Sequence, residues 1–400
     1  MSKVLLETLY ESATLQRWND HIRPHKGFTE LDKQGHKVAY AYIIGRIEEI
    51  DRGIKLEWQN LIEGAIFEFL HRLILTDIKP PIFHKLMQRK QEELNRWVLA
   101  QLQESLKGLP RVFRDNFEYY LFDPSYSKRE KKILHAAHYL ATDWEFKIIY
   151  PLNGDLYGLN HTKASIGNEL EEHYDLAGVQ KISLGKKTNN LMDLIGQLRF
   201  QQRWSQTLRM PETSVLGHML IVAMLAYFSS LQVQACSKRR FNNFFAGLFH
   251  DLPEVLTRDI VAPVKRSVQD LEEIIKEIEH IEIQEKLLPL IPRVMHEEIQ
   301  FFIADEFDSK IVRDHAIVKT SSHEINLHYN LDDYNPLDGE IIRACDHLAA
   351  YIEAVLSLDY GIRSRHLEDA VQNLYKQYKN KNIAGIDFGH YFDYFIPGDR

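Results

Sequence analysis

The chain has 400 residues, of which 44% are apolar, so it is long enough for two domains that each bury a core. Its net charge of −8 argues against a generally basic surface, and we expect no stable nucleic-acid binding. Two cysteines cannot build a disulfide framework and indicate a reducing compartment. Because we find no signal-peptide pattern and no uninterrupted apolar run of membrane-spanning length, we expect a cytoplasmic protein without a membrane contact.

Taken in chain order, most segments have the periodicity of amphipathic helices. Irregular composition marks 151–168 and 319–339, and the run Gly-Lys-Lys-Thr-Asn-Asn at 185–190 is typical of a linker. Apolar residues three and four apart recur elsewhere, as in the acidic segment 269–288. Strand-like alternation is scarce, so the sequence predicts an all-α fold.

The two halves of the chain repeat several short segments at matched spacings. The matched pairs are 16–18 with 202–204 (Gln-Arg-Trp), Gly35-His36 with Gly217-His218, Glu68 with His250, and 136–145 with 344–353. Equal spacing between several matches favours an internal duplication. We infer two tandem helical domains, 1–183 and 190–400. The alternative is chance similarity between two sets of amphipathic helices.

Ionisable residues interrupt three apolar helical segments of the second half. They are His218, the pair His250-Asp251, and Asp346. Burying such groups costs on the order of several kcal/mol unless they are paired or bind a metal. Two imidazoles and two carboxylates can hold one divalent ion and leave positions open for water and substrate. This ligand set does not choose between Mn, Co, Fe and Mg, and each residue alone is also compatible with a structural role.

Glu254 is the candidate proton-transfer group of this segment. It follows His250 by four residues, so a continuous helix would place both side chains on one face. A carboxylate there could accept a proton from an attacking water or donate one to the leaving oxygen. The alternative is a surface carboxylate beside Pro253.

The order His218, His250-Asp251, Asp346 resembles the HD-domain metal-dependent phosphohydrolases. The segment FHDLPEVLTRDIVAPVK at 249–265 is particularly similar to the bacterial 5'-deoxynucleotidase branch, which hydrolyses deoxyribonucleoside 5'-monophosphates. In that branch an Arg-Trp pair stands fifteen residues before the first metal histidine, as Arg203-Trp204 does here. The resemblance covers 200–265 and 340–356.

The resemblance implies a role for four further residues. Arg203 would hold the phosphate through its planar guanidinium, and Trp204 would pack against the sugar and leave no room for a 2'-hydroxyl. Asp259 would contact the nucleotide near the sugar, and Lys265 would add positive charge near the phosphate. Structural alternatives are a surface arginine, a core tryptophan, a turn aspartate and a solvated lysine.

The function implied is release of phosphate from (deoxy)nucleoside 5'-monophosphates, with one divalent metal ion as the cofactor and a nucleotide as the substrate. Two alternatives remain open. The first is an HD phosphodiesterase or triphosphohydrolase acting on another nucleotide. The second is a non-catalytic nucleotide sensor. The presence of Glu254 favours an enzyme, because a binding module does not need a proton-transfer group. A segment of unusual length, 266–340, separates Asp251 from Asp346 and is expected to be an insertion that reshapes the pocket.

The first half lacks most of these groups. Where the second half has His250, Asp251, Glu254 and Asp346, it has Glu68, Phe69, Arg72 and His138. A weak metal site at His36, Glu68 and His138 is one reading, and a decayed copy kept for structure or regulation is the other. The resembled branch forms homodimers, so the two domains are expected to form a pseudo-dimer within one chain. A homodimer of the whole chain also remains open.

Overall fold

A computed structural model describes residues 1–18, 28–76, 78, 80–153, 156–258 and 271–396 of the chain. It divides into two compact units, Met1–Gln180 and Lys181–Arg400. Each unit is built from α-helices, and the strands among the described residues are short. The prediction of an all-α fold is confirmed.

Nearly all of the first unit's length is helical. Its helices are α1 (Lys3–Glu11), α2 (Glu30–Arg52), α3 (Trp58–Ile74), α4 (Pro80–Leu106), α5 (Arg111–Phe122), α6 (Lys128–Asn153), α7 (Leu159–Glu171) and α8 (Ala177–Ser183). Thr29 caps α2 by accepting a hydrogen bond from the backbone of Asp32, and α2 packs against α6. The segment 151–168 is mostly helical rather than irregular, because α6 continues through Pro151 and α7 follows.

The second unit combines long core helices with short elements. Its helices are α9 (Lys187–Gln197), α10 (Val215–Gln232), α11 (Ser237–Phe249), α12 (Glu254–Thr257), α13 (Leu271–Glu282), α14 (His296–Ile303), α15 (Ser322–Glu324), α16 (Gly339–Asp359), α17 (Arg365–Tyr378) and α18 (Gly389–Asp393). Its strands form two antiparallel hairpins, β1 (Lys310–Arg313) with β2 (Ala316–Lys319) and β3 (Asn382–Ile383) with β4 (Ile386–Asp387). Short 3-10 and π turns connect several of these helices. The expected linker 185–190 is only a turn around Gly185, since α9 begins at Lys187.

Helix α10 forms the centre of the second unit. Ser214 caps it by accepting a hydrogen bond from the backbone of Gly217, and nearly every following side chain is buried. By length and composition α10 is the one helix among the described residues that could cross a membrane, which the sequence expectation had excluded. In the structure 89% of it is buried inside the protein, and a core helix has this same composition.

Helix α11 lies unusually close to α10 because of Gly247. A Cβ atom at this position would lie 2.9 Å from the Cα of Ala223 in α10. That distance is shorter than van der Waals contact, so only glycine fits without moving one helix. The close approach brings the end of α11, where His250 stands, next to His218 on α10.

A buried ion pair fixes the start of α16. Arg239 of α11 donates two hydrogen bonds to Asp338, of 2.6 and 3.1 Å, and both side chains are fully buried. Asn243 donates to the same carboxylate and accepts from the backbone of Asp338. Asp338 immediately precedes α16, and Asp346 follows about two turns later, so this network holds the start of the helix that carries Asp346.

Candidate active site

Two long helices bring His218 and Asp346 together. Nε2 of His218 on α10 lies 2.8 Å from Oδ1 of Asp346 on α16. His218 is fully buried, whereas Asp346 keeps 16% of its side chain exposed. Burial disfavours the charged carboxylate, but the contact with His218 and the charge of Arg203 outweigh it and hold the pKa of Asp346 well below its usual value. Asp346 is therefore ionised at neutral pH.

His250 completes a cluster with these two residues. Its Nδ1 donates to the carbonyl of Gly247 at 2.8 Å, which leaves Nε2 as the ligand atom. Nε2 is buried and makes no hydrogen bond of acceptable geometry among the described residues. Ligand atoms of His218, His250 and Asp346 all lie within 4.8 Å of one another. An oriented imidazole with a buried, unsatisfied nitrogen beside an ionised carboxylate fits a divalent metal ion.

Asp251 lies next to these three ligands. Its Oδ2 is 3.2 Å from Nε2 of His250 and 3.4 Å from the guanidinium of Arg203. Burial opposes the charged imidazolium, but Asp251 and Asp346 outweigh it and raise the pKa of His250 to about 9. Carboxylates that stabilise a proton here would also stabilise a metal cation in its place. We call His218, His250, Asp251 and Asp346 the metal cluster.

The chain bends between His250 and Glu254. Helix α11 ends at Phe249, and α12 begins at Glu254 after a turn in which the backbone N–H of Glu254 donates to the carbonyl of Asp251. The expectation that His250 and Glu254 occupy one face of a continuous helix is therefore wrong. Glu254 is half-buried, and Gln201 donates to its backbone carbonyl at 3.2 Å.

Arg203 lies against two carboxylates of the cluster and is not a surface arginine. Its guanidinium is 3.4 Å from Asp251 and 3.7 Å from Asp346, and only 13% of its side chain is exposed. Trp204 follows with a left-handed backbone (φ 58°), a rare conformation for a bulky residue. This conformation makes a sharp turn in the backbone, which we call the Arg-Trp corner. It directs the indole Nε1 towards Glu353, to which the nitrogen donates at 3.0 Å.

Glu353 is a site residue that the sequence reading missed. It is fully buried on α16 and accepts hydrogen bonds from Trp204 and, at 2.7 Å, from Thr213. It also lies 3.7 Å from Nδ1 of His218. Burial opposes its charge, but the nearby guanidinium of Arg209 and the contact with His218 hold its pKa well below the usual value. The available signal was its spacing, seven residues after Asp346, which places both on one helix face.

The described part of the segment 266–340 places side chains near the cluster. The ring of Phe307 lies 6.2 Å from that of His250, and the guanidinium of Arg343 stacks on Phe307 at 5.2 Å. Gly339 allows this arrangement, because a Cβ there would lie 2.3 Å from the backbone of Phe307. Burial raises the pKa of the neighbouring Glu306. The sequence predicted that this segment reshapes the pocket but not which residues reach it.

Two further predicted site residues, Asp259 and Lys265, lie outside the described residues.

The first unit has the same backbone corner at its Arg-Trp pair. Gln16 forms an antiparallel β-bridge with Thr29, as Gln202 does with Ser214. Trp18 has a left-handed backbone (φ 61°), like Trp204. Arg17 and Trp18 each donate to Glu145 at 2.8 Å, and Glu145 is fully buried. This arrangement matches that of Arg203 and Trp204 with Glu353.

The caps also correct the pairing of His36 with His218. His218 is the fourth residue after the cap Ser214, and the fourth residue after the cap Thr29 is Lys33. The Nζ of Lys33 donates to Nδ1 of His138, as His218 contacts Asp346. His36 lies almost one turn further on and packs against Tyr40 and Trp144. Among the described residues, the first unit contains no cluster of metal ligands.

Comparison with known proteins places this site in a family. Residues 195–375 match the HD domain family. The chain is 25% identical over 201 residues to a 5'-deoxynucleotidase of Photobacterium profundum. The aligned residues cover 48% of this chain and 87% of that protein. It is 27% identical over 182 residues to the 5'-deoxynucleotidase YfbR of Escherichia coli, covering 44% and 76%. No solved structure matches it.

Proposed function

We propose that the second unit is a metal-dependent phosphohydrolase that releases phosphate from deoxyribonucleoside 5'-monophosphates. The observation that carries the proposal is the convergence of His218, His250 and Asp346 within 4.8 Å beside the guanidinium of Arg203. The similarity to proteins named 5'-deoxynucleotidases supports the choice of substrate.

The metal cluster would hold one divalent ion. Such an ion, when bound, polarises a phosphate and makes water a better nucleophile at neutral pH. The chain supplies Nε2 of His250, whose proton the ion would displace, and the ionised carboxylate of Asp346 for this purpose. The hydrogen bond of His250 to Gly247 fixes the ring so that this nitrogen faces the cluster.

Arg203 would bind and neutralise the phosphate. A phosphate next to the cluster lies within reach of its guanidinium, which already touches the carboxylates of Asp251 and Asp346. The guanidinium can donate two parallel hydrogen bonds to phosphate oxygens and offset charge that develops as the ester bond breaks. Glu254, at the start of α12, would transfer the proton between the attacking water and the leaving 5'-oxygen.

Trp204 would select the sugar. Its Nε1 is committed to Glu353, so the indole is fixed in orientation and its face is the surface available to a substrate. A fixed ring against C2' of the sugar would exclude a hydroxyl by overlap. Asp259 and Lys265 would complete the nucleotide contacts as the resemblance implies.

The test is phosphate release by the full chain, stripped with a chelator and reloaded separately with Mn, Co, Fe or Mg. The substrates are deoxy- and ribonucleoside 5'-monophosphates, 3'-monophosphates, cyclic nucleotides and triphosphates. We expect turnover of the deoxy 5'-monophosphates, lost in Asp251→Ala and kept in Asp369→Ala, an exposed aspartate of α17 paired with Arg365.

Each other result has a defined meaning. Turnover of another nucleotide class alone would keep the phosphohydrolase and reject the deoxynucleotidase. Nucleotide binding without any turnover would reject the enzyme and favour a sensor. Full activity of Asp251→Ala would place the chemistry outside the metal cluster.

A further inference from the structure

The first unit contains three basic side chains, Arg17, Lys33 and Lys37, around the neutral imidazole of His138, where the second unit has its proposed active site. The ammonium groups of Lys33 and Lys37 are buried, and Arg17 keeps only 15% of its side chain exposed. Arg17 is as deep as Arg203, and Lys33 as deep as His218, so both sites lie equally far below the surface. We call Arg17, Lys33, Lys37 and His138 the lysine site.

Lys33 lacks a carboxylate partner in the described part of the chain. Its one hydrogen-bond partner there is the imidazole of His138, and it forms no salt bridge with a described residue. Burial lowers the pKa of Lys33 well below its usual value; the charge of Glu30 opposes this shift, and the charges of Arg17 and Lys37 add to it. A fully buried ammonium that touches no carboxylate is costly, and an anion in contact with it would reduce that cost.

The charge balance of the two sites is comparable once a metal is counted. Among the described residues, the second unit's linked charges are Arg203, Arg209, Asp251, Asp346 and Glu353. These two cations and three carboxylates leave one negative charge, which a divalent ion converts to one positive charge. The first unit's linked charges in the same part of the chain are Arg17, Lys33, Lys37, Arg72, Glu30, Glu68 and Glu145. When an anion keeps Lys33 protonated, these four cations and three carboxylates leave one positive charge without a metal.

We propose that the first unit binds a phosphate monoester dianion, without a metal ion, at Arg17, Lys33 and Lys37. The two ammonium groups take the electrostatic role of the divalent ion, and Arg17 takes that of Arg203. The site cannot hydrolyse what it binds, because ammonium groups do not activate water as a metal ion does. This inference implies that the two units are copies of one fold, and it goes beyond the catalytic activity proposed above.

The experiment is a calorimetric titration of the full chain carrying Asp251→Ala, in excess chelator. The probes are inorganic phosphate and 2'-deoxyadenosine 5'-monophosphate. We expect saturable binding of one probe molecule per chain. Lys33→Met should weaken it by about tenfold or more, because charge-assisted hydrogen bonds to a phosphate are lost. Lys147→Met, an exposed lysine on α6 paired with Asp143, should leave it unchanged.

A parallel variant separates the two sites. In the same background, Arg203→Gln should leave the probe affinity unchanged if the binding belongs to the first unit. Loss of binding in Arg203→Gln but not in Lys33→Met would assign it to the second unit and overturn the proposal, as would absence of saturable binding. Circular dichroism checks the fold of Lys33→Met. If that variant does not fold, Arg17→Lys replaces it, because it keeps the charge and loses the planar fork.

Because this titration measures binding in a chain without catalytic activity, its outcome is independent of the hydrolysis assay. Phosphate release without a chelator-resistant binding event would retain the proposed function and reject the lysine site. Binding without phosphate release would do the reverse.

Discussion

The two units share the arrangement of an Arg-Trp pair against a buried glutamate, and they differ in the ionisable residues next to that pair. In both, an arginine and a left-handed tryptophan lie against a buried glutamate, Glu145 in the first unit and Glu353 in the second. Below the corner, the second unit has His218 against Asp346, whereas the first has Lys33 against His138. The comparison teaches that the arrangement of arginine, tryptophan and buried glutamate does not depend on the residues of the metal cluster. The fourth residue after the helix cap, His218 in the second unit and Lys33 in the first, is one of the positions that distinguish the two units.

The strongest test of this comparison converts the second unit to the pattern of the first. His218→Lys replaces a neutral ligand with an ammonium that repels a divalent ion. We expect loss of the bound metal and a fall in kcat of about 1,000-fold or more, comparable to loss of a catalytic group. Metal content measured by mass spectrometry and phosphate release check this. Retained metal and activity would show that His218 is not a ligand.

His138→Ala is the matched change in the first unit. The chain is expected to keep its bound metal, because no metal cluster lies there among the described residues. A loss of metal from this variant as large as that from His218→Lys would mean that the units are not distinguished in the way proposed.

A second test addresses the buried glutamates. Glu353→Gln keeps the shape of the side chain but removes the charge that faces Arg209 and orients His218 and Trp204. Residues that orient metal ligands typically contribute about 10–100-fold to metal affinity or activity, and we expect a loss in this range. Glu145→Gln should lower the melting temperature but leave metal content unchanged. Equal metal loss in both variants would contradict the separation of the two sites.

The third test concerns the sugar. Trp204→Ala removes the ring proposed to exclude a 2'-hydroxyl, so the ratio of kcat/KM for deoxy- over ribonucleotides should fall about tenfold. Trp204→Phe keeps a ring but loses the bond to Glu353, and it should give an intermediate ratio. An unchanged ratio in both variants would assign sugar selection to other residues.

The smallest expected effect on catalysis comes from the helix contacts. Gly247→Ala places a Cβ 2.9 Å from the backbone of Ala223, whereas Gly64→Ala in the first unit meets the movable side chains of Tyr120 and Leu134. We expect a loss of about 1–3 kcal/mol in the free energy of unfolding for Gly247→Ala and less for Gly64→Ala. Urea unfolding measures both. Gly167→Ala, on α7 with open space around it, should be neutral or stabilising.

Sequence patterns predicted the helices and the metal cluster because they report local properties. A helical period identifies which residues face the core, and ionisable residues within apolar helices mark a site before any contact is known. That reasoning identified His218, His250, Asp251 and Asp346, and the family resemblance added Arg203. It could not place the end of α11 at Phe249. The residues from His250 to Glu254 have a sequence pattern that a continuous helix would also have, although they form a turn.

What only the tertiary structure decided is how these helices are aligned with one another. A helical pattern does not fix the residue at which the helix begins. The spacing of His36 therefore suggested that it corresponds to His218, but the cap at Thr29 does not support that correspondence. That cap is set by backbone hydrogen bonds such as the one that Arg17 donates to Phe28, and Lys33 is the fourth residue after it. Glu353 and Phe307 reach the site through contacts distant in sequence, which depend on how helices pack and not on their composition.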